Sequence, residues 1–201
     1  MPIISRGFRG RRQAPDVRAR IPPGQHLVGD FPVLSEGPTP AVELDRWTLA
    51  VAGAVAEPRQ WTWPEFRALE RRSITVDIHC VTTWSKLDTR WEGVSLDLLL
   101  GAVDPAGTHL VAECYGGYTA NMPLAEVTGG NAWVVDTYDG APLAAEHGGP
   151  ARLLVPRLYL WKSAKWLRRL RVTRTDEPGF WERRGYNNHG DPWREERYWG
   201  D

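Results

Sequence analysis

The chain has little cysteine: Cys80 and Cys114 are the only two in 201 residues. A disulfide framework is therefore not its design. No stretch approaches the roughly 18 apolar residues of a membrane span, so no membrane partner is expected. A charge surplus is also missing, because 25 Lys and Arg balance 25 Asp and Glu. That balance removes the basic excess a general nucleic-acid binder needs. The opening MPIISRGFRGRRQAPDVRAR carries the pair Arg11 and Arg12, yet no apolar run of signal-peptide length follows. A cytoplasmic protein is expected. There is no CxxCH, hence no c-type haem attachment, and no P-loop glycine pattern.

What is abundant is tryptophan, with 11 residues, alongside 20 glycines and 16 prolines. Large aromatics supply core area and rigid pocket walls, and the glycines and prolines call for many turns and short elements. A strand-rich α+β fold is expected, with mixed β-sheets and short flanking helices. Neither internal repeats nor a low-complexity linker is present. The expectation is a flexible N-terminal arm over residues 1–20 and a single domain over 21–201, monomeric, with residues 176–201 as a wrapping tail. Each tail aromatic (Phe180, Trp181, Tyr186, Trp193, Tyr198, Trp199) is expected to anchor in a surface groove.

Hydrophobic patterning predicts strands over 47–55, 73–80, 108–114, 132–138, 152–161 and 166–174. Thr62 and Glu65 have capping-box spacing for a short helix. Ser95 can cap another over LDLLL, which stops at Gly101. Residues 81–93, VTTWSKLDTRWEG, read as a polar loop. GGYTANMPLAEV reads as a loop with one helical turn, and Asp139-Gly140 as a hairpin turn. Within 73–80, Val76, Ile78 and Cys80 share one face, with Asp77 and His79 on the other.

Three constellations carry chemistry. Cys80 ends a strand where a thiolate can be presented to a soft metal centre; alone, it is equally a small buried hydrophobe. His147-Gly148-Gly149-Pro150-Ala151-Arg152 is a tight turn whose flanking imidazole and guanidinium can converge on phosphate oxygens; alone, it is a strand-entry turn. Lys162-Ser163-Ala164-Lys165 places two ammonium groups and a hydroxyl together as an anion cradle; alone, it is a solvated basic turn.

Together these motifs resemble one family. DIHCVTTWSKLDTRWEGV is similar to the molybdenum-ligating cysteine region of sulfite oxidase-type enzymes, and HGGPARLLVP with LYLWKSAKWLRRL is similar to their later pterin-binding segments. The opening PPGQHLVGDFPVL and the tail GFWERRGYNNHGDPWREERY resemble the small bacterial members, related to the catalytic subunit of periplasmic methionine sulfoxide reductase. The resemblance runs from about residue 20 to the end. It implies the sulfite oxidase molybdopterin-binding fold and a molybdenum–molybdopterin cofactor, with Cys80 as the protein ligand to the metal. It further implies cofactor contacts from His147, Arg152, Lys162, Ser163 and Lys165, and a further contact from Cys114 or Thr119. Trp84 and Lys86 follow the ligand and are expected at the catalytic approach, with Trp91 either joining them or packing the core.

The sequence departs from the family in three places. Residues 31–37 offer no Asn or Tyr in the N-terminal cofactor-binding segment. A glycine common before the lysine motif is replaced in LYLWK. Where sulfite oxidases place a substrate arginine soon after the cysteine, this chain has Trp84, Ser85 and Lys86. The implied reaction is a two-electron oxygen-atom transfer on a small S- or N-oxide, with electrons exchanged through a separate protein partner. Sulfite oxidation and cofactor or partner binding without turnover are the alternatives. A cysteine nucleophile with His79 or His147 as base is a further reading, and His79 lies on the wrong strand face for it.

Overall fold

The computed structural model describes residues 14–201. Most of the expected N-terminal arm lies outside the described residues. Its described end is ordered: Pro15–Ala19 forms helix α1, and Arg20 donates to Asp77 at 2.6 Å and Asp88 at 2.6 Å.

Eleven strands follow: β1 (His26–Leu27), β2 (Thr48–Gly53), β3 (Arg59–Thr62), β4 (Arg72–His79), β5 (Trp84–Ser95), β6 (His109–Cys114), β7 (Thr119–Pro123), β8 (Trp133–Tyr138), β9 (Ala141–Pro142), β10 (Arg152–Leu154) and β11 (Leu167–Thr173). Helices α2 (Trp63–Arg67), α3 (Leu96–Gly101) and α4 (Leu124–Val127) are short. The expected caps form. The Thr62 amide donates to Glu65 at 2.8 Å, and Ser95 Oγ accepts from the Asp97 amide at 3.2 Å.

The strands make two mixed sheets. One has the order β3-β2-β11-β6-β7; the other runs β1-β5-β8-β10, with β4 added on β5 and β9 on β8. Alternation along the second sheet separates its faces. Val134 and Leu153 join the large core shared with Leu49, Leu110 and Leu170 of the first sheet. Val135 and Leu154 face the other way, into a smaller cluster with Ile78, Cys80, Trp84 and Trp91. That second face positions the site.

Three local expectations are corrected. Residues 81–93 are not a polar loop, because β5 begins at Trp84 and pairs with β1, β4 and β8. Its charged residues are the exposed (Asp88, Arg90) and half-buried (Lys86, Glu92) positions of a strand whose Trp84, Thr89, Trp91 and Val94 are buried, so sheet pairing outweighs local polarity. The segment 119–123 is strand β7, paired with β6. The strand expected over 152–161 stops at Leu154, since Pro156 brings no N–H to a ladder, and a 3-10 turn covers Leu160–Lys162.

The tail follows the expectation only partly. Phe180 packs on Tyr118, Trp181 on Tyr186 and Tyr198 edge-on to Tyr186, whereas Trp199 is 89% exposed. No helix among the described residues is long and apolar enough to cross a membrane.

Candidate functional site

β4 and β5 meet in a tight hairpin whose first residue is Cys80. The Cys80 amide donates to the Trp84 carbonyl at 2.8 Å, and the Thr83 amide to the Cys80 carbonyl at 3.1 Å. Thr83 closes the turn in the left-handed region, at φ 72°. The Cys80 side chain is buried. Its Sγ accepts from the Thr82 hydroxyl at 3.1 Å. Burial pushes the thiol pKa up, against a downward pull from that hydroxyl, from the amides of Thr82 and Val81, and from the Arg197 charge. The turn thus holds a sulfur that a nearby positive centre would convert to thiolate.

Beside Cys80 lies a cavity of about 320 Å3. Its walls are aromatic: Phe31, Trp84, Tyr118, Trp161, Trp166, Trp181 and Tyr186. Arg152, Ser163 and Lys165 also line it, as do Leu34, Ser35 and Glu36 of the N-terminal segment. Trp84 Nε1 is buried with no hydrogen-bond partner among the described residues.

Arg152 is 1% exposed. Its guanidinium donates to the carbonyls of His147 at 2.8 Å, Ser163 at 2.5 Å and, more weakly, Leu153 at 3.4 Å. Among the described residues it has no carboxylate partner, and it lies 5.9 Å over the Trp91 ring. Burial pulls its pKa down to about 10, so it remains a cation at neutral pH. An arginine has five N–H donors, and two are uncommitted. A buried, unpaired cation is costly without an anion, and this one borders a cavity.

Lys165 approaches from the same side. Gly148 makes this possible. Its φ is +108°, and a Cβ there would come within 3.0 Å of Lys165 Cβ and 3.1 Å of Arg152 Cβ. The Lys165 amine donates to Leu34 O at 2.8 Å, Ser35 Oγ at 2.9 Å and Glu146 O at 2.6 Å, tying the N-terminal segment across the cavity. Burial and then the Arg152 charge push its pKa down to about 8, while Glu146 and Cys80 pull it up. The unfolded chain therefore binds more protons than the folded one between about pH 8 and 10.5, and stability must rise with pH across that window. Thermal melts of wild type and Lys165→Met should diverge in favour of wild type as pH rises from 8 to 10. A pH-independent difference would contradict this placement of Lys165.

The other sequence-predicted residues are placed as follows. His147 stacks at 4.0 Å under Phe31 rather than lining the cavity itself, and its Nδ1 is buried without a partner among the described residues. Ser163 Oγ accepts from the Val155 amide at 2.9 Å, so its backbone carbonyl serves Arg152. Lys162 is not brought to the cavity. Its amine, fully buried, pairs with Glu182 at 2.6 Å and donates to the carbonyls of Asn121 and Asn188 at 2.7 Å each, because residues 176–190 fold back over it. Lys86 points away and donates to the Gly29 carbonyl. Cys114 is buried in β6 outside the cavity lining, its pKa raised by burial. Thr119 accepts the Phe180 amide at 2.8 Å. Trp91 is core, 1% exposed, with its indole on Thr89 at 2.8 Å. His79 bonds Ser85 at 2.8 Å, and burial lowers its pKa to about 4.

Sequence reasoning missed Tyr118, Trp161, Trp166, Trp181 and Tyr186 as cavity walls, and Arg197 at the cysteine turn. The tryptophan excess was the signal for the first group; nothing local marks the arginine.

Among the described residues, no group of three His, Cys, Asp or Glu side chains could hold a metal ion. The protein offers one thiol, two cations and flat aromatic walls. That donor set does not suit a bare ion caged by protein ligands. It fits a metal arriving with its own anionic, planar organic ligand.

Comparisons agree. Residues 36–181 match the family described as oxidoreductase molybdopterin binding domain. The chain is 39% identical to the uncharacterized oxidoreductase YuiH of Bacillus subtilis, covering 96% of this chain and 98% of that one. It is 28% identical to the putative protein-methionine-sulfoxide reductase subunit YedZ1 of Azospira oryzae, over 88% of this chain and 69% of that one. Arabidopsis thaliana sulfite oxidase is 26% identical, over 82% of this chain and 53% of that enzyme. Among solved structures, the sulfane dehydrogenase SoxCD of Paracoccus pantotrophus superposes with a TM-score of 0.62 at 20% identity, over 88% of this chain and 56% of that one.

Proposed function

The chain belongs to the oxidoreductase molybdopterin-binding domain family, and from that premise we propose that the Cys80 cavity reduces small neutral S- or N-oxides by two-electron oxygen-atom transfer. The bound molybdenum–molybdopterin group supplies the redox chemistry. The chain's residues hold and shape the site. Cys80 gives the thiolate ligand. Arg152 supplies two free N–H donors and a fixed charge for anionic cofactor oxygens. Lys165 adds charge and keeps Leu34 and Ser35 over the cavity. The aromatic walls exclude water.

The observation that carries the substrate reading is the composition of the cavity wall. Its only two cations among the described lining residues are Arg152 and Lys165, and both belong to the cofactor in this reading. Among the described residues no further guanidinium fork lines this cavity, and desolvating a small dianion needs fixed positive charge. Aromatic walls suit a neutral, polarisable oxide. The naming of the Azospira relative for methionine sulfoxide reduction supports the same class. In this reading electrons come from a separate electron-transfer partner. A cytoplasmic monomer completes the reading, and two free cysteines are in keeping with a reducing compartment.

The test is a steady-state assay of molybdenum-loaded protein. Reduced artificial dyes should support turnover of neutral sulfoxides or N-oxides, with sulfite oxidation weak or absent. Efficient sulfite oxidation at low-micromolar KM, the tight end of the usual range of about 1 μM to 1 mM, would contradict it.

A further inference from the structure

The two ends of the described chain meet at the cysteine turn. Gln25, from the N-terminal segment, donates through Nε2 to the Cys80 carbonyl at 3.0 Å. Arg197, from the C-terminal tail, donates through Nη1 to the Val81 carbonyl at 2.7 Å. Neither is a casual surface contact. Gln25 is fixed in turn by the Ser85 hydroxyl, which donates to its Oε1 at 3.3 Å, and Ser85 is held by His79. The Arg197 side chain is 14% exposed, and its guanidinium lies 5.2 Å over the Tyr159 ring.

The geometry of the peptide unit makes these two contacts matter. In a trans peptide, the C=O of one residue and the N–H of the next point in opposite directions. The only cis peptide among the described residues is Gly149-Pro150, so the Cys80–Val81 and Val81–Thr82 units are both trans. Gln25 grips the carbonyl of the first and Arg197 that of the second. Each grip fixes the N–H on the far side of its peptide unit, that of Val81 for the first and that of Thr82 for the second, and both of these amides act on Sγ; the Cys80 carbonyl also takes the Thr83 amide that closes the turn. Both amides, weaker than the Thr82 hydroxyl bond, draw the sulfur toward its thiolate. A cationic donor on the Val81 carbonyl also polarises its peptide and strengthens the N–H on the far side.

Building on the reading of Cys80 as metal ligand, we infer that Gln25 and Arg197 are positioning residues that fix the amide dipoles around the Cys80 sulfur and so set how much electron density it gives the metal. They touch neither cofactor nor substrate. They act through two backbone units, and outer-shell partners of this kind orient and tune a ligand. Amide donors withdraw density from a thiolate. Their loss makes the sulfur a stronger donor, which favours the higher oxidation state.

The experiment uses the molybdenum-loaded protein and reads the Mo(VI)/Mo(V) equilibrium by electron paramagnetic resonance titration, with the thiolate-to-molybdenum absorption alongside. Arg197→Met should shift the equilibrium toward Mo(VI) about tenfold at fixed potential, a fall of about 59 mV for one electron. Gln25→Leu should shift it the same way, and Arg197→Lys, which keeps a cationic donor, should retain most of the wild-type value. Should Arg197→Met fail to fold, Gln25→Leu and Arg197→Lys decide. An unshifted Gln25→Leu, or Arg197→Lys behaving no better than Arg197→Met, overturns the inference. If Cys80→Ser leaves the wild-type absorption intact, the ligand assignment itself has failed. If Cys80→Ser abolishes the absorption while the Gln25 and Arg197 variants match wild type, only the positioning role has failed.

Discussion

Glu182→Leu should destabilise the protein by about 3–5 kcal/mol, the cost of leaving one partner of a buried ion pair alone. Both side chains of the Lys162–Glu182 pair are essentially inaccessible, 0% and 2% exposed, so solvent screens little of the loss. At about 2–4 °C per kcal/mol for a chain of this size, the melting temperature should fall by roughly 6–20 °C. Lys162→Met should cost a similar amount. The double variant Lys162→Met/Glu182→Leu should recover much of it, because removing both charges removes the desolvation penalty as well. Without Glu182 the Lys162 pKa, already lowered by burial, falls further. The single variant should then regain stability as pH rises. Additive single and double variants in thermal melts would show that the two groups do not act as a pair. The pair also bears on the cavity, since Glu182 accepts the Trp161 indole N–H at 2.8 Å, and Trp161, Trp181 and Tyr186 are cavity walls.

Arg152→Met should weaken cofactor retention by about 10- to 100-fold, the loss of a charge-assisted contact worth roughly 1.5–3 kcal/mol. The side chain is buried, carries its charge without a carboxylate partner among the described residues, and has N–H groups left beside the cavity. Arg152→Lys should fall between the two, keeping the charge and losing the planar fork. Pterin content after purification, and the rate of pterin release followed by fluorescence, measure this directly. Equal content and equal release rates in wild type and Arg152→Met would remove Arg152 from the cofactor site.

The sequence showed the parts of the molecule whose signal is local. The strands β2, β6, β8 and β11 form close to where their apolar patterning placed them, and the Thr62 and Ser95 caps form as their spacing implies. Cys80 and Arg152, which line one cavity, could be singled out together because the order of several motifs along the chain constrains them more than any one motif does. What failed was non-local. The segment after Cys80 looks like a polar loop because Lys86, Asp88, Arg90 and Glu92 recur among serine and threonine residues. Only pairing with β1, β4 and β8 makes it a strand. Lys162 looked like an anion ligand three residues from Lys165. Only the fold of the tail, 20 residues further on, brings Glu182 to it. Lys86 looked like a substrate cation until the N-terminal segment placed the Gly29 carbonyl beside its amine. Arg197 and Gln25 carry no sequence pattern at all, because their partners are backbone carbonyls more than 50 residues away.

The central claim is that Cys80 binds the molybdenum of a molybdopterin cofactor. Its most direct test is metal analysis joined to visible absorption, on wild type and Cys80→Ser purified from a host that makes the cofactor. Wild type should carry about one molybdenum per chain and show a thiolate-to-molybdenum band that Cys80→Ser lacks. A fully loaded wild type whose spectrum survives the substitution unchanged would contradict the account.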